Sequence, residues 1–116
     1  MQVMAHQESF MPMYHKLITY EEQNKTMLDA IKTVKQQLEQ SNQPLGIHHQ
    51  KNTIPTCYVA RFSLQTLYHF EMPNHHRLMY TVRRSRSNDD KEALFLKLLS
   101  HDEYNKQFGY FKKKSH

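Results

Sequence analysis

Two runs of alternating side chains, Leu64–Met72 and Arg77–Arg84, separated only by Pro73-Asn74-His75-His76, constrain the fold more than anything else in the sequence. Successive strand residues point to opposite faces. Leu67, His69 and Glu71 therefore share one side of the first strand, with Thr66, Tyr68, Phe70 and Met72 on the other. In the second strand Arg77, Met79, Thr81 and Arg83 alternate with Leu78, Tyr80, Val82 and Arg84. The proline-led segment makes the reversal, so the two strands pair antiparallel. This pattern predicts one face packed on a helix and the other carrying basic and polar groups. Residues 85–90 form a polar turn, and Ala93-Leu94-Phe95-Leu96-Lys97-Leu98-Leu99 reads as a third, buried strand.

The helix needed to cover the apolar face lies upstream. Met27, Leu28, Ile31, Val34 and Leu38 recur at helical spacing, with Lys25, Asp29, Lys32, Gln36 and Gln40 on the opposite side. Thr19 and Glu22 have the spacing of a capping box, and Gln43-Pro44-Leu45-Gly46 stops the helix. Ahead of it, residues 1–13 show no period and read as a flexible arm, with a short strand near Tyr14–Ile18. Ile47–Thr53 reads as a loop, and Ile54-Pro55 begins a turn through Tyr58 and Phe62. Ser100 caps a final helix over His101–Phe108, closed by Gly109, and residues 111–116 form a basic tail. The order is helix, three-stranded antiparallel meander, short helix: an α+β domain of 116 residues.

Charge is divided unevenly. Residues 1–50 hold four Lys and five acidic residues, a balance of −1; residues 51–116 hold seven Lys and five Arg against six acidic residues, a balance of +6. All five arginines, at 61, 77, 83, 84 and 86, fall in the second part. Such a cluster suits a phosphate-rich partner, because Arg forks its hydrogen bonds onto phosphate oxygens; the alternative is a solvated basic face that confers only solubility. Cys57 is the sole cysteine, which excludes an internal disulfide; among Thr56, Tyr58 and Val59 it reads as a small buried apolar side chain. The pairs His48-His49 and His75-His76 do not suggest a metal, since strand neighbours point apart and neither pair chelates one ion without a third ligand. No apolar stretch approaches bilayer length, and the first residues lack the order of a secretory signal. A cytoplasmic protein with no membrane partner is expected.

Several segments together resemble a known family. Ile54-Pro55 with Tyr58, Leu64 with Leu67, Met72-Pro73-Asn74 and His76-Arg77-Leu78-Met79-Tyr80-Thr81-Val82 resemble the middle of the RelE/ParE superfamily, the small toxins of toxin–antitoxin pairs. The ending, Leu98 to Tyr110, resembles a subgroup that closes with a histidine, a tyrosine and Phe-Gly-Tyr. The likeness covers about half the chain by motif and most of it by element order. It implies a small twisted antiparallel sheet with helices packed on one face, occupying residues 14–110, and an open concave face that binds RNA. Many members cut messenger RNA on the ribosome, others act on gyrase, and a cognate antitoxin is the expected partner. A non-catalytic member that binds nucleic acid or protein is the alternative. The turn departs from the pattern, since Pro-Asn-His-His stands where relatives often have a glycine; a helix and basic tail also follow His101, where relatives with a histidine-based site tend to end.

Cleavage of RNA without a metal or other cofactor uses the ribose 2′-hydroxyl as nucleophile. The site must take that proton, stabilise charge on phosphorus and protonate the leaving 5′-oxygen. The resemblance assigns charge stabilisation to Arg77, placed by the alternation on an exposed strand face, so that its removal should spare the fold. His101 has the chemistry of a general acid or base, or merely starts the last helix. Tyr104 and Tyr110 either orient the phosphate and stack on a base, or pack the helix on the sheet. Lys51, Arg61, Arg83, Arg84 and Arg86 are the expected RNA-backbone contacts.

Overall fold

In the computed structural model, which describes residues 1–85 and 90–109, the meander is the centre of a five-stranded sheet. Strands β1 (Gln2–Ala5), β2 (Ile47–His49), β3 (Leu67–Met72), β4 (His76–Arg84) and β5 (Lys91–Leu99) lie in the order β1-β5-β4-β3-β2. The meander pairs antiparallel as its alternation predicts. Two edges are added to it. Residues 2–5, read as part of an arm, run parallel to β5, and residues 47–49, read as loop, pair antiparallel with β3. Both are short, and neither carries enough alternation to stand out.

The helices are α1 (Met11–Thr19), α2 (Lys25–Glu39), α3 (Thr56–Phe62) and α4 (His101–Gln107). Four of the five stripe residues on α2, Met27, Ile31, Val34 and Leu38, are buried against the sheet, while Leu28 is only half-buried. The strand expected near Tyr14–Ile18 is instead helical, and the Thr19–Glu22 capping box does not form. Thr19 ends α1 and donates its hydroxyl to the His15 carbonyl at 2.9 Å, while Asn24 precedes α2. The turn expected after Pro55 is the helix α3, which exposes Cys57 rather than burying it. Proline is readily accommodated at a helix start, which is why it does not preclude one here.

Helices cover both faces of the sheet, not one. Phe10, the α2 stripe, Met72, Leu78, Tyr80, Ala93 and Phe95 form one core; Ile54, Tyr58, Leu64, Leu67, Met79, Leu94, Leu96 and Leu99 form a second on the opposite face. The face expected to carry basic and polar groups is thus largely apolar and lies under α3 and α4. A bulge makes this possible. Met79 pairs with Lys97 but Tyr80 with Phe95, so Leu96 is an extra residue in β5. It reverses the phase of the strand and places Leu99 on the second face beside Leu94 and Leu96. From there the chain enters α4 through Ser100, whose hydroxyl accepts from the Glu103 N–H at 3.2 Å while the Glu103 carboxylate accepts from the Ser100 N–H at 2.9 Å. The expected cap of this helix is therefore a complete capping box. The Tyr58 hydroxyl donates to Gln107 Oε1 at 2.5 Å and ties α3 to α4.

Candidate active site

Strand register assembles a polar cluster at one end of the second core. Glu71 stands opposite Arg77, and Arg77 opposite Leu99; His69 is two residues from Glu71 on the same face, and His49 on β2 stands opposite Leu67. Because α4 begins two residues after Leu99, His101 and Tyr104 lie against Arg77.

Arg77 is the hub. Its Nη1 donates to the His75 carbonyl at 2.8 Å and to His101 Nδ1 at 3.0 Å. Its guanidinium carbon lies 4.7 Å from the centre of the Tyr104 ring, a cation–π contact that fixes the plane of the fork. Nε is buried without a hydrogen-bond partner among the described residues, and the nearest carboxylate oxygen, Glu71 Oε2, is 3.6 Å away. The side chain is only 16% exposed. Arg77 does point away from Leu78 and Tyr80, but the face it occupies is covered, so its removal leaves a gap under α4 and an unsupported Tyr104.

Arginine offers only N–H groups, so His101 Nδ1 is the acceptor in this pair. A neutral His101 ring then carries its hydrogen on Nε2; the Asn105 amide nitrogen lies 3.2 Å from it, so Asn105 must turn its Oδ1 toward the ring to accept that hydrogen. Beneath Tyr104, His49 Nε2 lies 2.7 Å from His69 Nδ1, and His69 Nε2 lies 3.1 Å from Glu71 Oε1. The carboxylate accepts, which fixes the order of donors: His49 to His69 to Glu71. Burial lowers the pKa of both rings, that of His49 to about 4, helped by the neighbouring His69 and His48. Both are neutral at pH 7. Gly46 permits this approach. Its φ is +83°, and a Cβ there would sit 2.4 Å from the His69 carbonyl oxygen, so only glycine lets β2 close on β3. The Tyr80 hydroxyl, bonded to both the carbonyl and the N–H of Leu45, pins the preceding residue.

The Pro73–His75 turn is a strained 3₁₀ segment. Asn74 and His75 both have positive φ, 58° and 59°, the region that favours the glycine missing from this turn. His75 is exposed, and its ring centre is 6.0 Å from that of His101, at an angle of 61°.

The other expected residues do not join this cluster. Arg83 stands six residues along β4 from Arg77, about 20 Å at the usual strand rise, and its Nε is 2.6 Å from the buried Glu92 carboxylate. Arg84 is exposed, on the opposite face of the strand. Arg61 lies at the end of α3, over the Phe62 ring at 5.3 Å, and Lys51 is exposed after β2. Arg86 and Tyr110 fall outside the described residues. Tyr104 stacks on Phe108 at 4.5 Å and contacts the His69 ring edge-on, so it packs the helix as well as carrying Arg77. His48 and His49 part to opposite faces, His48 onto Tyr68, as strand geometry requires. Among the described residues no three His, Cys, Asp or Glu side chains form a group that could hold a metal ion.

His49, His69, Glu71, His75 and Asn105 also belong to the cluster, although the sequence assigns none of them a role in the site. The signal for His69 and Glu71 was present: alternation puts them on one side, and a short reversal returns Arg77 opposite Glu71. Comparison with protein-family models, with curated proteins and with solved structures finds no match to this chain.

Proposed function

We propose that this protein is an RNA endonuclease of toxin type, cutting messenger RNA by attack of the ribose 2′-hydroxyl on the adjacent phosphate, with Arg77 and His101 at the centre. The observation that carries the reading is the 3.0 Å contact from Arg77 Nη1 to His101 Nδ1 at an exposed helix start. A phosphate oxygen is a stronger acceptor for the guanidinium than an imidazole nitrogen. When a phosphodiester takes Arg77, His101 Nδ1 loses its donor and is left as a base beside the phosphate, its other nitrogen held by Asn105. Tyr104 and the His75 carbonyl keep the fork in place while charge develops on phosphorus.

Dispersal of the basic residues favours a substrate that another body presents. Arg83 is taken up by Glu92, and Arg61 and Lys51 lie on other elements, so among the described residues no basic groove surrounds the proposed cleavage centre. A ribosome holding the message meets that need, and a cognate antitoxin would restrain the activity. The test is brief expression of the protein beside Arg77→Lys, with the 5′ ends of a reporter message mapped by primer extension. New ends inside translated codons, absent in the variant, support the reading. An unbroken message with the wild-type protein sinks it and leaves a binding module, whose mark would be salt-sensitive binding without cleavage.

A further inference from the structure

Deprotonating the 2′-hydroxyl is half of the proton traffic; the leaving 5′-oxygen also needs a proton, and neither Arg77 nor His101, acting as the base, supplies one. We propose that His75 is the general acid of this site. The inference rests on the endonuclease reading and adds a catalytic residue to it.

Three observations converge on His75. Its ring is exposed and meets His101 edge-on, with centres 6.0 Å apart and planes inclined at 61°, so both imidazoles stand at the same rim beside Arg77. Its own carbonyl oxygen holds Arg77 Nη1 at 2.8 Å, so the group that binds the phosphate is fixed to the backbone of the group that would protonate it. And its backbone is strained: residues 74 and 75 both lie at positive φ, where a side chain is disfavoured and glycine is not. Such strain persists where the surroundings over-determine it, and it clusters at functional sites. Here it presents an imidazole at the rim of the Arg77 fork. The charged and titratable groups around it are His101, Arg77, Glu71 behind Arg77, and His76, whose Nδ1 lies 3.1 Å from the Asn74 carbonyl.

The step balances without a cofactor. His101 Nδ1 takes the 2′-hydroxyl proton as the 2′-oxygen bonds to phosphorus. The bond from phosphorus to the 5′-oxygen breaks, and protonated His75 delivers its proton to that oxygen. The products are a 2′,3′-cyclic phosphate and a 5′-hydroxyl, and the two rings exchange protons with solvent to reset.

A leaving group that needs no proton separates this role from a structural one. Translating ribosomes are programmed with a message carrying a single bridging sulfur in place of the 5′-oxygen at a mapped cut, alongside the all-oxygen message. Asparagine tolerates positive φ, so His75→Asn removes the imidazole while keeping the turn, and His75→Gly relieves the strain as a second variant. Both should cut the oxygen message about 100- to 10,000-fold more slowly than wild type and the sulfur message at close to the wild-type rate. His101→Gln should be slow on both. Wild-type rates on the oxygen message, or equal losses on both messages, overturn the assignment of His75. Failure of the wild-type protein to cut either message overturns the endonuclease reading itself and this inference with it.

Discussion

Arg77 and Arg83 sit on the same face of the same strand, each near a carboxylate, and the structure gives them opposite fates. Arg83 meets Glu92 at 2.6 Å; Glu92 is 7% exposed, so the arginine neutralises a charge that would otherwise be buried alone. Arg77 stands 3.6 Å from Glu71 Oε2, too far for a hydrogen bond, and is held instead by a backbone carbonyl, an aromatic face and a histidine nitrogen. Those partners orient the fork, and the ion pair with the exposed Glu71 is looser than that of Arg83 with Glu92. What separates the two arginines is therefore not their charge, which they share, but how tightly a carboxylate holds each one.

The sharpest way to break this comparison is to replace both arginines by lysine. Arg77→Lys keeps the charge and loses the fork, and should lower RNA cleavage by at least about 100-fold, the scale of one well-placed charge-stabilising donor. Arg83→Lys should leave cleavage within about threefold of wild type, the change expected when a surface ion pair is merely re-formed. Primer-extension intensities at one mapped cut site measure both. Equal losses would mean that the two ends of β4 serve one RNA-binding surface, and the distinction drawn here would collapse.

Gly46 tests whether the histidine pair supports Arg77. Alanine at φ +83° meets the His69 carbonyl at 2.4 Å, so β2 must move away from β3 and carry His49 with it. The expected loss is about 2–3 kcal/mol, from backbone strain together with displaced packing. Urea denaturation of Gly46→Ala checks it. A variant as stable as wild type would show that β2 docks without the close approach.

A smaller loss is expected where Arg83 is removed. Arg83→Ala strands the Glu92 carboxylate, but the arginine side chain is 45% exposed and water can enter, so the cost should be about 1–2 kcal/mol. The double variant Arg83→Ala, Glu92→Gln should recover part of it. Should the single variant unfold at the wild-type urea concentration, Glu92 finds other partners and Arg83 is not occupied by it.

The contrast between the two ends also measures what the sequence could convey. Alternation in residues 64–84 and the apolar stripe of α2 make the meander and its helix legible, because both are periodic and long. Strands β1 and β2 have four and three residues, too few for a period to register. The second core was hidden for another reason. Leu67, Met79 and Leu94 alternate with residues buried on the first face, and the bulge at Leu96 reverses the faces that Leu98 and Leu99 would take by simple alternation. Arg77, His101 and Tyr104 lie together, while Arg83 stands at the far end of β4, where β5 returns Glu92 opposite it. In the sequence His75 is a turn residue and half of a histidine pair; its positive φ, the feature that distinguishes it, is a property of the folded turn.

The last and smallest effect concerns pH. His49 has its pKa lowered to about 4 in the folded protein, against about 6.5 in an unfolded chain, and His69 is lowered as well. Between those values the unfolded chain binds more protons than the folded one, so stability rises with pH across the window and is lost as pH falls from 6.5 toward 4. Above 6.5 both states are neutral at these rings and the contribution is fully present. His49 is partly exposed on an edge strand, so solvent screening reduces the effect to on the order of 1 kcal/mol between pH 7 and pH 5. His49→Gln removes one titrating ring and should flatten the decline of the urea midpoint over that range, leaving the smaller part due to His69. An unchanged slope in His49→Gln would mean that water already reaches the His49–His69 pair, and that the neutral relay under Tyr104 does not stiffen the support of Arg77.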